Sequence, residues 1–242
     1  FLITSPEFYR TAMMQYRKWQ WIELDLVKNT RDFRKESYRP TSIDEQIKIL
    51  EDVGTENNWR ARKLFVVNRA KTNMTQLIEA ARNPAFGTSL AILKPTEVID
   101  FKYEPCEREW DPEKLQAVYI HNDELELFAD SSSAKSFFQV VNKLPYKFSY
   151  VLKTEDGIER TMMIEDWELG ALYWNMLKKE AGDEIRACQK VREKYFDYMV
   201  KERDLYFFVG TTLKFHNLAR NPFIIIGTFY PPKTGELFLD IF

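Results

Sequence analysis

The sequence predicts an α+β protein with mostly antiparallel strands, in which short, bent strands close into small barrels. Three observations predict it. Strand-like runs come in neighbouring pairs, with helical runs between them at irregular spacing, which argues against a doubly wound parallel sheet. Asp156-Gly157 sits between two alternating runs, as a tight hairpin turn requires. Gly210 and Gly227 interrupt strongly apolar runs, where a small barrel needs a bend, a bulge or a close backbone approach.

The elements follow in chain order. In "WQWIELDLVK", Trp21, Leu24 and Leu26 are apolar around Glu23 and Asp25, so the stretch reads as one strand. A basic segment follows and ends at Pro40. "IKILEDVG" is a short strand closed by Gly54. "TENNWRARKLFVVNRA" reads as a helix with Thr55 as its N-cap, and "NMTQLIEAARN" as a second helix closed by Asn83-Pro84. "SLAILKP" and "EVIDFKYEP" are strands divided at Pro95. Residues 106–143 read as an excursion, mostly loop with some helix, and as the most mobile part. "YKFSYVLKTEDGIERTMMIEDW" is the hairpin. A helical pair over 166–181 and 183–201 follows, with Ile185, Cys188, Val191, Tyr195 and Met199 as an inward stripe. Two apolar strands, "DLYFFVGTT" and "FIIIGTFYPP", close the chain.

Composition bounds the function. A chain of 242 residues is one large domain or two small ones, and 15% aromatic content excludes wholesale disorder. Lys and Arg number 35 against 37 Asp and Glu, so any anion-binding surface is local. Cys106 and Cys188 can build neither a disulfide framework nor a multi-cysteine zinc site, which fits a reducing cytoplasm. No run of 18 apolar residues and no signal peptide is visible, so no membrane partner is expected. The chain starts at Phe1 and reads as a fragment, with a further strand expected before it.

The segment "KNTRDFRKESYRP" carries Lys28, Arg31, Arg34, Lys35 and Arg39 beside Phe33 and Tyr38. Guanidinium groups hold phosphates bidentately and aromatic rings stack on bases, so these seven residues are the candidate nucleic-acid contacts. The plainer reading is a strand-linking loop whose arginines pair with Asp32 and Glu36. Asp166 and Glu168 open the first helix of the pair. They read as a helix cap and a first-turn acid, with a functional carboxylate pair as the alternative. His121 and His216 lie 95 positions apart without metal-spaced partners, and neither cysteine has a flanking motif that would activate it. No glycine-rich phosphate loop occurs. No cofactor, metal or catalytic residue is expected.

"WIELDLVKNTRDFRKESYRP", "VGTENNWRARK", "SLAILKPTEVIDFKYEP", "LPYKFSYVL", "MIEDWELGALYWN", "DLYFFVGT" and "NPFIIIGTFYPPK" resemble an uncharacterised prokaryotic protein family over nearly the whole chain. Some members of that family carry Cys and His in the hairpin before "DWE". Here the hairpin reads "KTEDGIERTMM", so the resemblance implies no metal there. The order of segments also resembles the dual OB-containing domain. That layout implies two small OB-like barrel lobes with helical connections and a nucleic-acid role. On this reading 1–54 is a partial N-terminal lobe, 55–86 a helical connector and 87–242 the C-terminal lobe. The expected function is a non-enzymatic module that contacts single-stranded nucleic acid. The alternatives are a protein-interaction subunit docking through its helical pair, and an enzyme using Asp166 and Glu168.

Overall fold

The computed structural model describes residues 3–4, 16–41, 47–113, 115–116 and 139–233. His121 and much of the 106–143 excursion lie outside the described residues. The fold is α+β. Short strands β1 (Ile3–Thr4) and β9 (Gln139–Val140) pair with each other, as do β2 (Gln20–Glu23) with β5 (Lys48–Asp52) and β3 (Leu26–Lys28) with β4 (Tyr38–Pro40). The remaining strands form one sheet: β6 (Ala70–Lys71), β7 (Leu90–Leu93), β8 (Glu97–Pro105), β10 (Tyr146–Lys153), β11 (Glu159–Ile164), β12 (Tyr206–Thr211) and β13 (Phe223–Phe229). Its order is β6-β7-β12-β13-β11-β10-β8. Four neighbouring pairs are antiparallel, while β6–β7 and β11–β13 are parallel.

The sheet is open among the described residues, so the expected small barrels are not what these strands build. Closure requires the first and last strands to pair with a matching tilt and stagger. Here β6 and β8 are opposite edges, and helices cover a face instead, a layered solution to the same burial problem. The glycines do mark irregularity: the β12–β13 register slips between Phe208 and Val209, so that Phe208 faces Gly227 and Val209 faces Ile225. That leaves Ile226 as the extra residue of a bulge.

Helices α2 (Met74–Arg82), α3 (Trp167–Lys179) and α4 (Glu184–Arg192) pack on one face. Met74, Leu77, Leu169, Tyr173, Cys188 and Val191 meet Leu93, Phe101, Phe148, Tyr150, Phe207 and Ile225 in a single buried cluster. A π-helical turn, Glu193–Tyr198, continues α4 and keeps Tyr195 inside. Cys188, Val191, Tyr195 and Met199 are buried as expected, but Ile185 is 51% exposed. Ala187 takes the inward place. At ~100° per residue, Ile185 sits roughly 100° from the centre of the stripe that Ala187, Cys188 and Val191 define.

Strand alternation turns Tyr206, Phe208 and Ile92 to the opposite face. There Val66, Tyr206 and Phe229 form a smaller cluster with Trp19, Trp59, Ala70, Ile92 and Phe208 half-buried against it. The helix α1 (Glu56–Val66) supplies Trp59 and Val66, and its start differs from expectation. Thr55 makes no side-chain cap, because Asn57, Asn58 and Trp59 all take left-handed φ angles of 49–63°. Asn tolerates that region, while Trp there costs about 1–2 kcal/mol. Tilted ring contacts of Trp59 with Phe229 and Tyr230, at 5.6 and 5.9 Å, and the Arg62 guanidinium 5.3 Å from its ring centre offset that cost. The "WQWIELDLVK" run is two strands rather than one, since the chain changes partner from β5 to β4 at Leu24 and Asp25.

Candidate nucleic-acid interface

The ends of β12 and the starts of β7 and β13 share one end of the sheet, since Gly210 pairs with Leu90 and Thr211 with Phe223. Three loops meet there: 28–39, 83–89 and 212–221.

The first loop folds on itself. Asn29 N–H donates to Ser37 C=O at 3.1 Å and Asp32 N–H to Asn29 C=O at 3.2 Å. The buried Asp32 carboxylate accepts from the Arg34 backbone N–H at 3.0 Å and from its guanidinium at 2.6–3.1 Å. Those Arg34 hydrogen bonds hold the Asp32 carboxyl well below the usual range. Arg34 Nη1 also donates to Thr211 C=O, fastening the loop to the end of β12. Lys28 Nζ donates back to Arg34 and Lys35 carbonyls at 2.6 and 2.7 Å, and lies 5.1 Å from the Tyr38 ring centre.

The second loop leaves α2 through Asn83, whose backbone C=O accepts from Phe86 and Gly87 N–H at 3.0 and 2.7 Å. Gly87 takes φ +54°, a turn that favours glycine, and packs beside the Lys35 stem. Lys35 Nζ donates to Ala85 C=O, and Ser89 donates through N–H and Oγ to the Glu36 carboxylate. Burial pushes the Glu36 carboxyl up, but hydrogen bonds from Ser89 and from the Glu36 and Leu90 backbone together outweigh it and leave it lowered.

In the third loop, Phe215 and His216 N–H both donate to Thr212 C=O. His216 is buried, with Nδ1 2.7 Å from Thr211 Oγ1 and Nε2 3.0 Å from Ala81 C=O. A carbonyl only accepts, so Nε2 carries a proton, and in the neutral ring Nδ1 then accepts from the Thr211 hydroxyl. The Phe33 ring stands edge-on to His216 at 5.2 Å. Arg82 Nη2 donates to the Ala219 and Arg220 carbonyls at 3.3 and 3.0 Å.

The seven residues singled out in 28–39 therefore divide. Lys28, Arg34 and Lys35 turn their charged ends onto the protein's own carbonyls. Phe33 and Tyr38 are 58% and 57% exposed. Arg39 is exposed and, among the described residues, reaches only its neighbour Pro40 C=O, at 3.5 Å. The exposed Arg31 guanidinium makes no hydrogen bond or ion pair with a described residue. Loops 83–89 and 212–221 were not singled out from sequence. Their signal is Lys214 and Arg220 in a stretch with no carboxylate, and an aromatic in each loop.

Asp166 and Glu168 belong to a different part of the molecule, the start of α3. Asp166 caps the helix, accepting from Glu168 N–H at 3.0 Å on one oxygen and from Tyr195 O–H at 3.3 Å on the other. Burial raises its carboxyl above the ordinary value, against the lowering effect of the Glu168 N–H. Glu168 accepts from Lys18 Nζ at 3.0 Å. A cleft of about 460 Å³ near Trp110 and Trp174 is lined by Arg108 and Glu184, which are paired at 2.6 and 2.8 Å. Among the described residues, no group of three or more His, Cys, Asp and Glu could hold a metal ion, and no helix is long and apolar enough to cross a membrane.

Fold and surface together define an α+β protein with a cationic, ring-bearing loop surface at one end of a helix-backed sheet. Residues 70–241 match the family described as Domain of unknown function (DUF8757), and the chain belongs to that family. Residues 7–68 match a second, Domain of unknown function (DUF8758). Loop 28–39 lies in the second span and the other two loops in the first, so the surface straddles both. No curated protein and no solved structure matches the chain.

Proposed function

We propose that this protein is a non-enzymatic module that contacts nucleic acid through loop 28–39. One observation carries the reading: both carboxylates of the loop are engaged by protein groups, while Arg31, Arg39, Phe33 and Tyr38 face solvent. The segment holds five cations against two carboxylates, a net +3 in a chain of net −2. Guanidiniums without a protein carboxylate suit phosphates, and exposed rings suit base faces. The loop's internal hydrogen bonds hold these four side chains on a fixed frame, which lowers the entropy cost of binding.

The resemblance to the dual OB-containing domain is consistent with this role, but the loop and not a barrel is the support for it. Asp166 and Glu168 are not needed by the reading, since their contacts serve α3 and Lys18. The two free cysteines favour a reducing, cytoplasmic setting.

The test is fluorescence anisotropy with a short single-stranded oligonucleotide across a salt series. Binding should weaken with salt, and Arg31→Ala with Arg39→Ala should lower the log–log slope by about 1.4, near 0.7 per phosphate contact. Phe33→Ala should weaken binding without changing the slope. Absence of salt-dependent binding at low ionic strength would sink the reading and leave a protein partner as the occupant of this surface.

A further inference from the structure

Resting on that reading, we infer that the ligand is a single strand of nucleic acid, and that it runs across all three loops. Phe86 and Phe215 would offer stacking faces beside Phe33, and Lys214 and Arg220 would meet phosphates.

The loops are one surface because they are tied to each other at several points. Lys35 to Ala85 and Glu36 to Ser89 join the first loop to the second. Arg34 to Thr211 and Phe33 to His216 join the first to the third. His216 to Ala81 and Arg82 to Ala219 join α2, just before the second loop, to the third. Rings on these loops therefore keep a fixed relation. Phe86 and Phe215 are 63% and 49% exposed, and the Lys214 ammonium lies 5.5 Å from the Phe215 ring centre. Large exposed rings gathered on one surface mark an interaction site.

Charge selects the partner. Loop 28–39 carries five cations and two carboxylates, 83–89 carries neither, and 212–221 carries two cations and no carboxylate. The surface is therefore net +5, and the rest of a chain of net −2 is net −7. Such segregation fits a polyanion better than a neutral protein face. The rings then choose among polyanions. Stacking needs base faces that a duplex keeps buried against their neighbours, so an unpaired strand is the fit.

The experiment measures anisotropy of the full 242-residue chain with labelled single-stranded DNA and RNA 12-mers, the corresponding duplexes, and an abasic strand of equal length. Phe86→Ala and Phe215→Ala should each weaken single-strand binding, roughly 5- to 150-fold for a lost stacked base. Phe215→Tyr should retain it. Lys214→Ala with Arg220→Ala should lower the salt slope by about 1.4. Duplex and abasic strand should bind more weakly than the single strand, and the preferred sugar names the source. Melting temperatures near the parent's would show that the variants are folded. If Phe33→Ala weakens binding and the Phe86 and Phe215 variants do not, the three-loop path is wrong and the single-loop reading stands. Equal binding of the abasic strand or of duplex overturns the stacking. No binding by the parent chain overturns this inference together with the reading beneath it.

Discussion

In the β10–β11 turn, Asp156 accepts from Arg160 at 2.8 and 3.0 Å, from Thr75 N–H and O–H, from Thr154 O–H and from Ile158 N–H. In loop 28–39, Asp32 accepts from Arg34 in much the same manner. Both aspartates are buried or nearly so, and both carboxyls are held far below their ordinary range, each first by hydrogen bonds from its arginine. The two turns share a chemistry and finish differently. The first turn has two cations: the Arg160 guanidinium is taken up by Asp156, Thr75 and Ile158, and Lys153 pairs with Glu97 at 3.7 Å. Once that clamp forms, the turn holds α2 against the hairpin and presents no free cation. Loop 28–39 carries the same clamp and has cations and rings left over. An aspartate–arginine pair in a turn thus reports structure, and function is to be sought in the side chains that the clamp does not use.

The comparison can be broken in four ways. The largest effect belongs to Asp156→Ala. Removing one partner of a pair whose side chains are 13% and 9% exposed leaves a buried guanidinium uncompensated, at about 3–5 kcal/mol. Urea unfolding should show that loss, with oligonucleotide affinity unchanged in the folded protein. Arg34→Ala comes next. It strips Asp32 of its cation and the loop of its tie to Thr211, so stability should fall by about 2–3 kcal/mol, in the range of hydrogen bonds to charged groups. A variant that keeps its unfolding midpoint and only loses salt slope would show Arg34 to be a phosphate contact instead.

Acid should act on both clamps together. Their carboxyls are lower folded than unfolded, where Asp titrates near ~4. Each therefore adds stability that is complete above the unfolded value and is lost as pH falls toward the folded one. Asp166 acts with the opposite sign: burial raises its carboxyl, so protonation relieves a cost. Urea midpoints should drop below about pH 5, and the Asp156→Asn variant should show a shallower drop. The smallest effect is that of Arg31→Ala or Arg39→Ala on stability, within about 0.5 kcal/mol for an exposed side chain with no carboxylate partner among the described residues. A larger loss by either would place that arginine with the clamp.

The sequence by itself determined the inventory. The α2 periodicity, the helical pair with its Cys188–Val191–Tyr195 stripe, the Asp166 cap and the hairpin at Gly157 all follow from neighbours a few residues apart. So do the apolar closing strands. Gly157 alone takes the positive φ, at 71°, while Asp156 contributes through its carboxylate. The left-handed start of α1 was not legible, because the contacts that stabilise Trp59 come from Phe229 and Tyr230 near the other end of the chain. Whether the sheet closes was not legible either, since it depends on which strands become edges, and β11 meets β13 in parallel at Ile164 and Ile225.

The same division runs through the loop surface. Residue types alone identify segment 28–39 as cationic and aromatic. Which cations stay available was decided by partners 53 and 177 positions away, where Ser89 takes Glu36 and the Thr211 carbonyl takes Arg34. Local pattern fixes what a side chain can do, because propensity and periodicity act over one or two turns of chain. Tertiary structure decides what it is free to do, because a buried carboxylate or an unpaired carbonyl at a sheet end draws in whichever donor the fold places beside it.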